Sequence, residues 1–166
     1  MVIHKKRSMR HYSSVLDTNK LNLRSKYIKI RKEFHKNEIN EADVAALNLI
    51  KYLNNKKLIK NNLKIAIYWP MGSEICSKPA LAALNQITNQ LSIASTENNQ
   101  IIFRLWKPNQ TITSNKLGVI LDTKELKSLE IIICPLVAFD ENCNRLGRGG
   151  GFYDKILNLN KDIIKI

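Results

Sequence analysis

The sequence predicts an α/β fold, a single domain of three-layer-like build whose sheet is mainly parallel or mixed and flanked by helices. Three observations predict it. Short apolar runs alternate along the chain with longer stretches whose apolar residues recur at helical spacing. The run EIIIC at 130–134 is almost wholly apolar and rich in Ile, which suits an interior strand covered on both faces. Four of the chain's six glycines fall within residues 147–151, after that run and just before a helical stretch. With 166 residues, 44% of them hydrophobic and 25% charged, the chain suits one ordinary globular domain. No apolar run approaches the roughly 18–20 residues that a membrane-spanning helix needs.

The elements follow in order. Asp17 or Thr18 can cap a helix running to about Lys36, with Leu23, Tyr27, Ile30 and Phe34 as its apolar stripe. Lys20, Arg24 and Arg31 lie off that stripe. Asn40 opens a second helix, with Glu41 and Asp43 in the first turn, where acids suit the positive end of the helix dipole. Val44, Leu47, Leu49, Ile50 and Leu53 form its buried side, and the polar run 54–62 ends it. Residues 63–69 read as a strand stopped by Pro70 and Gly72. Ser77 then caps a helix with Pro79 in its first turn, where a missing N–H costs little. Leu81, Leu84, Ile87 and Leu91 continue that helix's periodicity. Residues 101–106 form a strand and 91–95 a weaker one. The strand 130–134 is closed by Pro135, residues 152–159 read as a helix, and 163–166 as the start of a strand.

Net charge is +13, unevenly spread: residues 1–64 hold 16 Lys+Arg against 5 acids, and residues 65–166 hold 11 against 9. Lys outnumbers Arg 20 to 7, and the aromatic residues, 7% of the chain, do not cluster among the basic ones. Nucleic-acid readers rely on bidentate Arg contacts and stacking aromatics, so the excess reads as a surface bias and no nucleic-acid partner is expected. Residues 1–16, with four Lys/Arg and no acid, read as a basic extension without fixed structure, leaving 17–166 as the domain. Cys76, Cys134 and Cys143 are too few and scattered for a disulfide framework or a CxxC metal site. The expected setting is the cytoplasm, with no membrane partner and a monomeric chain.

The strongest local signal is the run RLGRGGGFYD at 145–154. Glycines permit positive φ and leave nothing between backbone and ligand, so successive N–H groups can converge on an anion. The helix start that follows adds positive potential, and Arg145 and Arg148 add charge suited to phosphate. The loop is neither a P-loop, since no GK[ST] follows, nor a dinucleotide fingerprint, since Phe152 stands where a third glycine belongs.

The stretch CPLVAFDENCNRLGRGGGFYDKIL at 134–157 resembles the signature of the 5-formyltetrahydrofolate cyclo-ligase family, also called methenyltetrahydrofolate synthetases. Further pieces agree in the right order: KLNLR at 20–24, IYWPMGSE at 67–74 and FRLW at 103–106. The resemblance implies an enzyme that uses ATP and magnesium to convert 5-formyltetrahydrofolate, with or without a polyglutamate tail, into 5,10-methenyltetrahydrofolate, releasing ADP and phosphate. It implies that Lys20, Leu21, Asn22, Leu23 and Arg24 meet ATP, together with Arg145, Leu146, Gly147, Arg148, Gly149, Gly150, Gly151, Phe152 and Tyr153. Of these, Arg145 and Arg148 carry the catalytic charge. Arg148, Gly149, Gly150, Gly151 and Phe152 also face the folate, alongside Trp69 and Glu74, and Asp154 holds the magnesium ion.

Two features depart from the family pattern. Members usually run on past the glycine-loop helix through another strand, a Gln-containing loop and an acidic turn that adds a second acid toward the metal, whereas this sequence stops at Ile166. Residues 91–95 also lack the proline-bearing strand expected there. The competing readings are a basic nucleic-acid-binding module whose glycine loop grips backbone phosphate, and a truncated remnant that binds ATP or folate without turnover.

Overall fold

The structure, a computed structural model, describes residues 3–35, 40–98, 100–115 and 118–166, with side chains from Thr18 onward except that of Asn115. In chain order the elements are α1 (Ile3–His35), α2 (Glu41–Asn55), β1 (Ile65–Ile67), α3 (Lys78–Asn85), β2 (Leu91–Glu97), β3 (Gln100–Leu105), β4 (Thr113–Asn115), β5 (Gly118–Ile120), β6 (Ile131–Ile133), β7 (Ala138–Phe139), β8 (Arg145–Leu146), α4 (Phe152–Leu159) and β9 (Ile164–Lys165). They fall into two compact units, Met1–Lys36 with Leu136–Gly150, and Asn37–Pro135 with Gly151–Ile166.

The larger unit is built on a five-stranded sheet in the order β3-β2-β1-β6-β9. β1 pairs in parallel with β2 and β6, β6 in parallel with β9, and β3 runs antiparallel to β2. This is the α/β class expected, with a mixed and mostly parallel sheet. Side chains of a strand alternate between its faces, and here both faces are buried. Ile65, Ile67, Ile131 and Ile133 enter one apolar cluster with Leu53 of α2 and Leu81 and Leu84 of α3. Ala66, Ile132 and Cys134 enter the other, with Leu157 of α4 and Phe103 of β3. Helices on both faces of a sheet make three layers. A side hairpin of β4 and β5 is tied to β2, where Ser95 Oγ donates to the Val119 carbonyl (3.2 Å).

Several expectations are corrected. Neither Asp17 nor Thr18 begins α1, whose helical backbone runs unbroken from Ile3 to His35. The end expected at Lys36 lies outside the described residues, and the extension expected over 1–16 falls where side chains are not described. Leu23, Tyr27 and Phe34 on the expected apolar stripe of α1 are exposed. In α2, Val44 and Leu47 are exposed, and the face turned inward is Ala46, Leu49, Ile50 and Leu53. That set is an unbroken i, i+3, i+4, i+7 series, and small Ala46 belongs to it where larger residues drew attention. α3 stops at Asn85, so Ile87 and Leu91 are not on it. β-branched Ile87 and Thr88 favour the exit, and Thr88 Oγ1 both donates to the Leu63 carbonyl (2.7 Å) and accepts from Gln90 N–H (3.0 Å), turning the chain into β2. The weak strand at 91–95 is thereby the longest in the sheet, and the strand expected over 63–69 pairs only across Ile65–Ile67.

Within the smaller unit, β7 and β8 form an antiparallel hairpin, Ala138 opposite Leu146 and Phe139 opposite Arg145. Asp140 organises the turn between them. Its carboxylate accepts from the backbone N–H groups of Asn142 (3.0 Å) and Asn144 (2.8 Å) and from Asn144 Nδ2 (2.8 Å). The turn closes with Cys143 at φ 60.

Candidate functional site

The site residues expected from the sequence fall into the two units. In the smaller one, α1 carries Lys20 exposed to solvent and Arg24 half-buried, one helical turn apart on one face. Leu21 and Leu23 are exposed, as is Asn22. Arg24 Nε donates to the carbonyl of Gly147 (2.9 Å), 123 residues away in sequence. Among the described residues its two terminal Nη groups have no protein partner. Gly149 lies against the same guanidinium at φ 106, where a Cβ would meet Arg24 Cζ at 3.5 Å. Arg145 and Leu146 form β8, and Arg148 and Gly150 are exposed on the loop that follows. The structure thus joins the two ends of the expected nucleotide-binding set: an oriented guanidinium with open donors beside a glycine loop.

In the larger unit, β2 lies on one side of β1 and β6 on the other, so the chain changes direction across the sheet between β1 and β6. Ligands of open α/β sheets bind outside the carboxyl ends of the strands at such a switch point. The chain leaving β1 there carries Trp69 and Glu74. Ser77 is the residue before α3, yet its hydroxyl does not cap the helix; it donates to the Tyr68 carbonyl (2.7 Å). Tyr68 Oη in turn donates to the Ile75 carbonyl (3.0 Å), so the segment is stitched shut. Glu74 is buried, 7% exposed, and its carboxylate accepts from Met71 N–H (3.0 Å). Trp69 packs partly on the core, with Lys78 Nζ 5.3 Å from its ring centre.

β6 and β9 are parallel neighbours joined through α4, so α4 runs back along the sheet and begins at the end where β6 finishes. Gly151 precedes it at φ 65, a left-handed turn that brings Phe152, Tyr153 and Asp154 into the first helical turn. Tyr153, Ile156 and Leu157 pack on the sheet, and Asp154 is exposed. No three His, Cys, Asp or Glu side chains cluster to hold a metal among the described residues. A single exposed carboxylate at a helix start nonetheless suits magnesium, which keeps water and phosphate oxygens and takes one or two carboxylates from a protein.

Sequence reasoning gives three supports no part in the site. Arg31 Nη1 donates to the Leu136 carbonyl (2.8 Å) at the foot of the β7–β8 hairpin. Asp140, whose carboxyl sits below the usual aspartate range because Asn144 and then Asn142 donate to it, sets the hairpin turn. Ser77 and Tyr68 hold the segment bearing Trp69 and Glu74. Only the second had a local signal, the Asp-x-Asn-x-Asn spacing of 140–144 that favours an Asx turn.

A mostly parallel α/β sheet with a glycine loop set against helix-borne arginine defines the class. A match to the 5-formyltetrahydrofolate cyclo-ligase family spans residues 16–166, and the chain belongs to that family. It is similar to the 5-formyltetrahydrofolate cyclo-ligase of Haemophilus influenzae, 32% identical over 132 residues that make up 73% of this chain and 67% of the relative. A shorter similarity, 40% over 63 residues, covers 34% of this chain and 35% of the 5-formyltetrahydrofolate cyclo-ligase of Escherichia coli. In fold it resembles the 5,10-methenyltetrahydrofolate synthetase of Aquifex aeolicus, with TM-score 0.69 and 24% identity over 88% of this chain and 75% of the other. The Mycoplasma pneumoniae synthetase has TM-score 0.61 and 21% identity, over 87% and 80%. No helix among the described residues is long and apolar enough to cross a membrane.

Proposed function

We propose that this protein is an ATP- and magnesium-dependent 5-formyltetrahydrofolate cyclo-ligase, acting as a monomer in the cytoplasm through the domain 17–166. The observation that carries this reading is Arg24, held by the Gly147 carbonyl with its Nη donors open beside Gly149. It is the arrangement a polyphosphate calls for: a charged fork, pre-oriented, next to backbone that approaches without side chains. Family membership supplies the substrate class.

A formamide oxygen is a poor leaving group, so the reaction first makes it a good one. The formyl oxygen attacks the γ-phosphorus and the bond to ADP breaks. Nitrogen 10 then attacks the formyl carbon, its proton leaves, the carbon–oxygen bond breaks, and phosphate departs with the oxygen. Phosphoryl transfer needs positioning and charge neutralisation more than covalent help. Lys20 to Arg24 and the loop from Arg145 to Tyr153 bind the nucleotide, and Arg145 and Arg148 neutralise charge growing on the transferred group. Trp69 offers a face to the pterin, and buried Glu74 an acceptor for its N–H groups, with Arg148 to Phe152 also facing the folate. Magnesium, held by Asp154 when bound, neutralises phosphate charge.

Growth of the methenyl product's near-ultraviolet absorbance from 5-formyltetrahydrofolate, dependent on both ATP and magnesium, tests this. Folded protein that gives no signal would refute it. Arg145→Ala and Asp154→Asn should each lower kcat/KM at least tenfold, roughly 1.4 kcal/mol.

A further inference from the structure

The β7–β8 hairpin carries the start of the glycine loop, yet little apolar surface holds it down. Of the residues around its paired strands only Val137 is buried; Phe139 is 72% exposed and Leu136 38%. An isolated two-stranded hairpin is marginal in water, so something else must fix this one. Its innermost rung is the bond from Val137 N–H to the Leu146 carbonyl (2.7 Å). The residues just outside that rung are Leu136 on one leg and Gly147 on the other. Both of their carbonyls are gripped from α1, Leu136 by Arg31 (2.8 Å) and Gly147 by Arg24 (2.9 Å).

Seven residues separate the two arginines. At 3.6 residues per turn they share one helix face, about 10.5 Å apart along the axis. One rigid helix therefore clamps both legs of the hairpin. The two grips differ in what they leave available. Arg24 spends only Nε and presents its Nη groups beside Gly149, whereas Arg31 Nη1 takes the Leu136 carbonyl on the opposite leg.

We propose that Arg31 is a positioning residue for nucleotide binding: it fixes one leg of the hairpin so that Gly147, on the other, stays where it orients the Arg24 guanidinium. This rests on the reading of the glycine loop as the ATP site. A phosphate that takes the Nη donors of Arg24 leaves Nε on Gly147, while Arg31 holds the opposite leg in place.

The test uses the full chain as wild type, Arg31→Ala and Arg31→Lys. ATP with magnesium is titrated by calorimetry, and hydrogen exchange is followed across residues 136–147. Arg31→Ala should weaken ATP about tenfold, the order expected when a hydrogen bond from a charged donor is lost. It should speed exchange at Val137 and Cys143, shift Tm by less than about 3 °C, and raise KM for ATP more than it lowers kcat. Arg31→Lys, which keeps a charged donor within reach of the same carbonyl, should recover a large part of the affinity. Unchanged ATP affinity or unchanged exchange in Arg31→Ala overturns the proposal, as does a Lys variant no better than Ala. A loss that tracks general unfolding, with exchange faster everywhere, overturns it too. Wild-type protein that does not bind ATP overturns the functional reading and the proposal with it, whereas wild-type affinity retained in Arg31→Ala overturns the proposal alone.

Discussion

Gly149→Ala separates the two ways in which a glycine can matter beside a ligand. Gly149 sits at φ 106, a conformation that side-chain-bearing residues rarely adopt. Space is a lesser issue: a Cβ there would lie 3.5 Å from Arg24 Cζ and 3.6 Å from Arg24 Nε, ordinary contact distances. The penalty is therefore conformational, about 1–3 kcal/mol for a non-glycine residue in a sparsely populated region. The loop is exposed, so it relaxes rather than dragging the domain with it. Relaxation shifts Gly147, two residues away, and with it the carbonyl that orients Arg24. Taking about 2 kcal/mol as the part passed on to ligand binding gives roughly a 30-fold rise in Kd for ATP. Gly150 provides the comparison, because it does not stand among the glycines with positive φ. Calorimetric titration of ATP with magnesium should show Gly149→Ala weakened by about 10–100-fold, with Tm within about 3 °C of wild type. Gly150→Ala should lose markedly less. Equal losses, or the reverse order, would show that bulk near the ligand governs this loop and that its left-handed backbone does not.

Three further outcomes are expected. Arg104 places Nε and Nη2 on the two Glu97 oxygens (2.9 Å each) and Nη1 on the Thr123 carbonyl (2.6 Å), so Arg104→Ala should cost about 2–3 kcal/mol in urea unfolding, and Lys, lacking the fork, should recover only part. Cys143 at φ 60 is a non-glycine residue in the left-handed region, so Cys143→Gly should stabilise the protein, or at least its hairpin, by about 0.5–1 kcal/mol despite glycine's entropy, read as slower exchange across 137–146. The Asp140 carboxyl is held below its ordinary 3.8 by the Asn144 and Asn142 donors. A depressed folded pKa contributes stability above the unfolded value that is lost as pH falls through the folded one, so hairpin protection should weaken on acidification below about pH 4, and Asp140→Asn should remove that dependence.

How far the fold could be read depends on what each segment buries. The residues 130–134 contain β6 because three successive isoleucines, covered on alternate faces, leave a continuous apolar run. α4 matches the expected span because its apolar stripe stands between a glycine loop and Asn160. β2 reads weakly for the opposite reason. Ser92 and Ser95 break its apolar run, yet both are fully buried, their hydroxyls donating to the Ile65 and Val119 carbonyls (3.2 Å each). Their polarity is cancelled by partners that a strand's own sequence does not display. The two-residue strands β7 and β8 are shorter than any periodicity can register.

The candidate site is half legible for the same physical reason. Glycines, arginines and the Tyr-Asp pair at 145–154 stand out by type, because those types are the ones suited to an anion. Their supports do not. Arg24 grips Gly147, Arg31 grips Leu136, Ser77 grips Tyr68 and Thr88 grips Leu63, in every case through the backbone carbonyl. Every residue carries that acceptor, so the partner position has no residue-type signature. A donor side chain can be picked out in sequence, but which carbonyl it takes is decided only when the fold brings one within about 3 Å. Substitution at the donors is therefore informative where substitution at the acceptors is not: changing Leu136 or Gly147 leaves the carbonyl in place, whereas truncating Arg31 or Arg24 removes the bond itself.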